Sequence, residues 1–148
     1  SIRPNDAFYH ELKGQILFEN RRWANAQASY GRAVQLAPSD ALILASYGRA
    51  QLAAGAVNPA IRTMEKSRSL DFRNTLLLRD MSQAYAKLGQ SGLAALVTAE
   101  RYTLVGRLDD AGLHAKRATA LLPRGSATWR RAQDVLLAFE QSQKRNRR

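Results

Sequence analysis

Two places in this sequence combine side chains able to do chemistry: His10-Glu11 near the start, and Asp109-Asp110 ahead of His114 near the end. His10-Glu11 begins like HExxH, in which two histidines one helical turn apart hold zinc and the glutamate acts as general base. Here the run continues Leu12-Lys13-Gly14, so a glycine stands where the second ligand belongs. Zinc needs at least three protein ligands, and the chain has 2 histidines and 0 cysteines. Both histidines are therefore expected to be surface or packing residues. The missing cysteine also excludes disulfides and thiolate chemistry. Asp109-Asp110 falls where a helix should begin, and acidic side chains there meet the positive end of the helix dipole, so capping is the expected role. No glycine-rich phosphate loop follows a strand, and no serine sits in a nucleophile-elbow context. These readings predict a chain that is not an enzyme and holds no cofactor or metal of its own.

The elements that carry these residues repeat. Gly14 recurs as Gly48, Ala26 as Ala60 and Ala94, Gly55 as Gly89, and Leu36 as Leu70 and Leu104, each at a spacing of 34. Gly14 and Ala26 suit places where two helices cross closely and a larger side chain would part them. Trp23, Tyr30 and Ala33 supply a filling of alternating sizes, and Pro38 stops the second helix because proline cannot continue the hydrogen-bond ladder. In the second repeat Asn58-Pro59 reads as an N-cap followed by proline at the first helical position, and Phe72 replaces the terminating proline. Further on, Gly89 and Ala94 become Gly106 and Ala111 at half the period, 17 residues, so the register slips and the helix around Gly92 is expected to serve two hairpins. Ser126 then caps a last helix with Trp129, Ala132, Val135, Leu136 and Phe139 on one stripe.

A 34-residue period with these residue types is that of the tetratricopeptide (TPR) repeat. The expected fold is all-α, a right-handed TPR superhelix of about eight helices. Its expected parts are a lead-in over 1–6, repeats near 7–40, 41–74, 75–105 and 92–125, a cap helix over 126–143 and a basic tail over 144–148. Over Asn5 to about Glu140 the wording resembles a narrower group. Phe8-Tyr9-His10-Glu11-Leu12-Lys13-Gly14-Gln15, Arg22-Trp23-Ala24, Arg32-Ala33-Val34-Gln35-Leu36-Ala37-Pro38 and Leu122-Pro123-Arg124-Gly125-Ser126 are similar to the C-terminal TPR domain of bacterial HtpX-like zinc metallopeptidases. That resemblance implies the non-catalytic part of a longer enzyme of the periplasm or envelope, with zinc in an upstream domain. The abrupt opening at Ser1 fits a piece of something longer.

In a TPR stack the first helix of each hairpin lines the concave face. The expected groove residues are Phe8, Glu11, Gln15, Phe18, Ser46, Arg49, Leu52, Arg79, Gln83 and Glu100. Glutamines there can hold a peptide backbone, and Arg49 and Arg79 can hold acidic side chains. The clamp with which one TPR subclass grips C-terminal carboxylates is disfavoured, because its places are taken by Glu11, Gln15, Ser46, Leu76 and Asp80. The net charge of +11 raises a second reading, attraction to nucleic acid or an acidic partner. Lys144, Arg145, Arg147 and Arg148 concentrate part of that charge at the end, the rest is dispersed, and no RNA-binding or helix-turn-helix motif accompanies it. The expected partner is a peptide or protein, with no specific nucleic acid. No apolar run is long enough to cross a membrane.

Overall fold

The computed structural model describes residues 5–147, and Ser1, Ile2, Arg3, Pro4 and Arg148 of the expected lead-in and tail lie outside them. The described residues form eight helices and no strand: α1 (Ala7–Glu19), α2 (Trp23–Leu36), α3 (Ala41–Ala53), α4 (Val57–Leu70), α5 (Thr75–Lys87), α6 (Ser91–Leu104), α7 (Leu108–Leu121) and α8 (Ala127–Asn146). The chain divides into two compact units, Ser1–Leu77 and Leu78–Arg148, and the division falls inside α5.

The helices begin in two ways. Asp6, Asp40, Asn74 and Ser126 accept from the backbone N–H groups of Phe8, Ile43, Leu77 and Trp129 at 2.9 to 3.2 Å, which satisfies donors that a helix start leaves orphaned. Those side-chain caps open α1, α3, α5 and α8. Before α2, α4, α6 and α7 no side chain caps the start. There the preceding helix closes on a residue with positive φ, namely Arg21 at 59°, Gly55 at 88°, Gly89 at 71° and Gly106 at 79°. Each closure uses the same pair of backbone bonds, for example Gly55 N–H to the Leu52 carbonyl and Ala56 N–H to the Gln51 carbonyl, 3.0 and 2.9 Å. This is a Schellman turn, and its last residue is already the first capping residue of the next helix. α6 is entered through one such turn and left through another.

Small residues set how closely the helices pack. A Cβ on Gly14 would lie 2.9 Å from the Tyr30 ring, and one on Gly48 would lie 2.7 Å from Met64. The residue another 34 positions on is Ser82, whose hydroxyl donates to the Ala94 carbonyl at 3.3 Å and pairs with the Thr98 hydroxyl at 2.9 Å. A hydrogen bond to the neighbouring helix thus stands where the first two repeats use contact without a side chain. In the first unit Ala26, Tyr30 and Ala50 form a core cluster flanked by Leu17, Phe18 and Tyr47. In the second, Ala95, Leu96, Ala118 and Ala132 do so, flanked by Leu93 and Leu122. Gly112 takes the Phe139 ring of α8 in the same manner as Gly14 takes Tyr30.

Two local expectations change, the start of α4 and the end of α8. α4 begins at Val57 with Ala56 as its cap, so Asn58-Pro59 lies within its first turn; the Ala60 N–H that Asn58 would have capped donates instead to the Ala56 carbonyl at 3.0 Å. α4 ends at Leu70 without a proline, because the Asp71 carboxylate accepts the Arg73 N–H at 3.0 Å and turns the chain. α8 runs on to Asn146, past the expected end at 143, and places Lys144 and Arg145 in its last turn, where cations favour the negative end of the dipole. Asp109 and Asp110 stand in the first turn of α7, with Asp110 paired to Arg107 at 2.7 Å.

Gly14→Ala tests the packing rule. Alanine improves helix propensity by about 1 kcal/mol, but the buried Tyr30 ring must move, at about 2 kcal/mol. Urea denaturation should show a net loss of about 1 kcal/mol, where an open helical glycine would give a gain.

Candidate functional site

The first unit carries a pocket of about 530 Å³ lined from α1, the turn after it, α2 and α3. Five expected groove residues meet there: Glu11, Gln15 and Phe18 on successive turns of α1, and Ser46 and Arg49 on α3. Their spacing by three and four residues puts them on one face of each helix. Arg49 lies over the Phe18 ring, 5.2 Å from its centroid, and Phe18 meets Trp23 edge to face at 4.9 Å. Gln15 donates to the Glu19 carboxylate at 3.3 Å. The floor is Tyr30, whose ring fills the notch at Gly14 and whose hydroxyl is hydrogen-bonded with Ser46.

Two groups in the pocket titrate away from their ordinary values. Burial raises the Glu11 carboxyl, and the negative charge of Asp40 raises it further. Burial and then the Glu11 charge raise the Tyr30 phenol, against the opposing pull of Arg49 and the bond with Ser46. The pocket therefore holds a carboxyl that is reluctant to ionise, next to a phenol that stays neutral.

The remaining expected residues lie elsewhere. Phe8 is exposed on the first turn of α1 and is not part of the pocket lining. Leu52 is only 7% exposed, a correction to its expected groove position: α3 packs against both α2 and α4, and a helix with two neighbours keeps little free face. Arg79 and Gln83 are exposed on successive turns of α5 in the second unit. Glu100 of α6 is engaged by Arg131 of α8 through two guanidinium nitrogens, at 3.2 and 2.5 Å, and serves as a helix-to-helix tie. Four lining residues were missed: Glu19, Arg21, Trp23 and Tyr30. One had a signal in the sequence, since Arg21 stands where Gly55 and Gly89 recur at a spacing of 34.

The histidines occupy ordinary positions. His10 meets Tyr9 edge to face at 5.0 Å. His114 stacks on Tyr102 at 5.4 Å and lines a second-unit pocket of about 290 Å³ with Ser82, Thr98 and Arg117. Burial and then Arg117 lower its pKa, so its neutral form is favoured.

No protein-family model matches the sequence, and no curated protein matches it. Solved structures do. The TPR domain of Arabidopsis OM64 aligns with a TM-score of 0.67 and 19% identity over 78% of this chain and 96% of its own. The chain has the fold of a TPR domain. MamA aligns with a TM-score of 0.67 and 14% identity, over 97% of this chain and 81% of its own. PcrH, solved in complex with the chaperone-binding region of PopD, aligns with a TM-score of 0.57 and 17% identity, over 91% of each chain.

Glu11→Gln isolates the titration. A carboxyl whose folded pKa is raised contributes stability below its unfolded pKa and loses it as pH rises through the folded value. Glutamine mimics the protonated form throughout. Urea unfolding should therefore show the variant more stable than wild type near pH 7, with the difference disappearing in the acid range where Glu11 itself is protonated.

Proposed function

We propose that this TPR domain binds an extended or helical segment of a partner protein in the first-unit pocket. The observation that carries this is the convergence of Glu11, Gln15, Phe18, Ser46 and Arg49 around an aromatic floor. Aromatic and arginine side chains supply most of the energy at protein interfaces, and the flanking amide can satisfy a peptide backbone. Gln15, Phe18 and Arg49 are presented by α1 and α3, each packed against α2, so little ordering cost falls on the domain. PcrH, whose fold is similar, binds the chaperone-binding region of PopD, which supports the class of ligand.

We further propose that the domain is the non-catalytic part of an HtpX-like zinc metallopeptidase of the periplasm or envelope. The support is the sequence resemblance over Asn5 to about Glu140. An HExxH helix encoded upstream of Ser1 is the expected finding. A reading frame without one would sink the parent enzyme while leaving the binding proposal standing.

Binding itself is tested with peptides selected on the immobilised domain from an unbiased display library. Arg49→Glu should weaken the selected peptides about tenfold or more, the scale of losing one charge-assisted contact and gaining a repulsion. Arg79→Glu, in the second unit, should leave their affinity unchanged. Equal affinity for wild type and Arg49→Glu would place the binding surface elsewhere.

A further inference from the structure

The four Schellman turns are alike except at one residue. Gly55, Gly89 and Gly106 take the left-handed conformation in three of them, and Arg21 takes it in the first, at φ 59°. Arg21 is the one non-glycine residue with positive φ among the described residues. Its backbone bonds match the others: Arg21 N–H to the Phe18 carbonyl and Arg22 N–H to the Leu17 carbonyl, both 2.9 Å. A side chain there crowds its own backbone, and glycine does not. The turn therefore gains nothing from arginine. The side chain is also exposed, and no hydrogen bond or ion pair to another described residue holds it. What the arginine adds is a guanidinium at the edge of the first-unit pocket, beside Phe18 and Trp23 and on the same lining as Arg49.

We infer that Arg21 is a ligand-holding residue that selects an acidic side chain in the bound segment, next to an apolar residue packed on Phe18 and Trp23. The inference rests on the peptide-binding reading of this pocket. A planar guanidinium pairs with a carboxylate through two parallel hydrogen bonds, and a strained conformation that no fold contact rewards is found where function uses it. Two glutamates share the lining and offset the charge of its two arginines. Glu19 is engaged by Gln15 and Arg49 lies over the Phe18 ring, so the exposed Arg21 guanidinium is the cation placed to meet an incoming carboxylate. The chain's +11 net charge favours encounter with an acidic segment in the same direction.

The experiment is selection from an unbiased library of short peptides joined to the carrier at both ends, so that only side-chain carboxylates are available. Enriched peptides are then made with blocked termini and titrated by calorimetry against wild type, Arg21→Gly and Arg21→Lys. The expected result is enrichment of Asp or Glu beside a large apolar residue, with binding about tenfold weaker for Arg21→Gly and partly retained by Arg21→Lys. Arg21→Gly should melt at the wild-type temperature or up to roughly 3 °C higher, because the turn loses its strain. A fall in melting temperature would show that Arg21 serves the fold, and the inference would be wrong. Peptides enriched without acidic residues, or bound equally by Arg21→Gly, would overturn the role of Arg21 and leave the groove reading intact. No enrichment on wild type would overturn both.

Discussion

The tight closure of one helix onto the next is the constraint on which the rest of this structure depends. Four times the chain ends a helix on a residue with positive φ, satisfies two orphan carbonyls with the next two N–H groups, and starts a new helix at once. So short a connection leaves the two helices antiparallel and adjacent, and their separation is then set by the side chains that face each other. Gly14 against Tyr30 and Gly48 against Met64 allow close approach without a void. Because the turn fixes the start of the second helix to the end of the first, the phase of each helix about its axis is fixed as well. That phase puts Glu11, Gln15 and Phe18 on the open side of α1, facing Ser46 and Arg49 of α3.

The pocket is thus a by-product of packing that the sequence has furnished with chemistry. Tyr30 belongs to both: its ring fills the notch at Gly14, and its hydroxyl joins Ser46 at the pocket floor. Arg21 is the counterexample, a residue the turn tolerates at a cost of about 1 kcal/mol. The second unit follows the same turn rule with different contacts, tying α6 to α8 through Glu100 and Arg131 and α5 to α6 through Ser82.

The helical repeat was legible because its signals are steric and local. Gly14, Gly48, Gly55 and Gly89 recur at fixed spacing where a Cβ or a negative φ would not fit, and the spacing alone gives the hairpins and their order. Half of the pocket was legible for the same reason, since helical periodicity says which residues of α1 and α3 share a face. The other half was hidden in rules that periodicity does not contain. Leu52 satisfies the spacing of a groove residue, but α3 is enclosed by two neighbours. Glu100 does too, and a partner on α8 takes it up. Trp23 and Tyr30 read as filling between helices, and they are, yet their edges also form the pocket wall. Asn58-Pro59 reads as a helix start because caps are usually side chains, whereas here the helix is capped two residues earlier at Ala56, whose carbonyl accepts the Ala60 N–H.

The most direct measurement is amide chemical-shift mapping of the isotope-labelled domain as a peptide selected on it is titrated in. Binding in the first-unit pocket predicts perturbations concentrated from Glu11 to Trp23 and from Ser46 to Arg49, with His114 and its neighbours unmoved. Perturbations confined to the second unit, while Phe18, Arg21 and Arg49 stay in place, would contradict it.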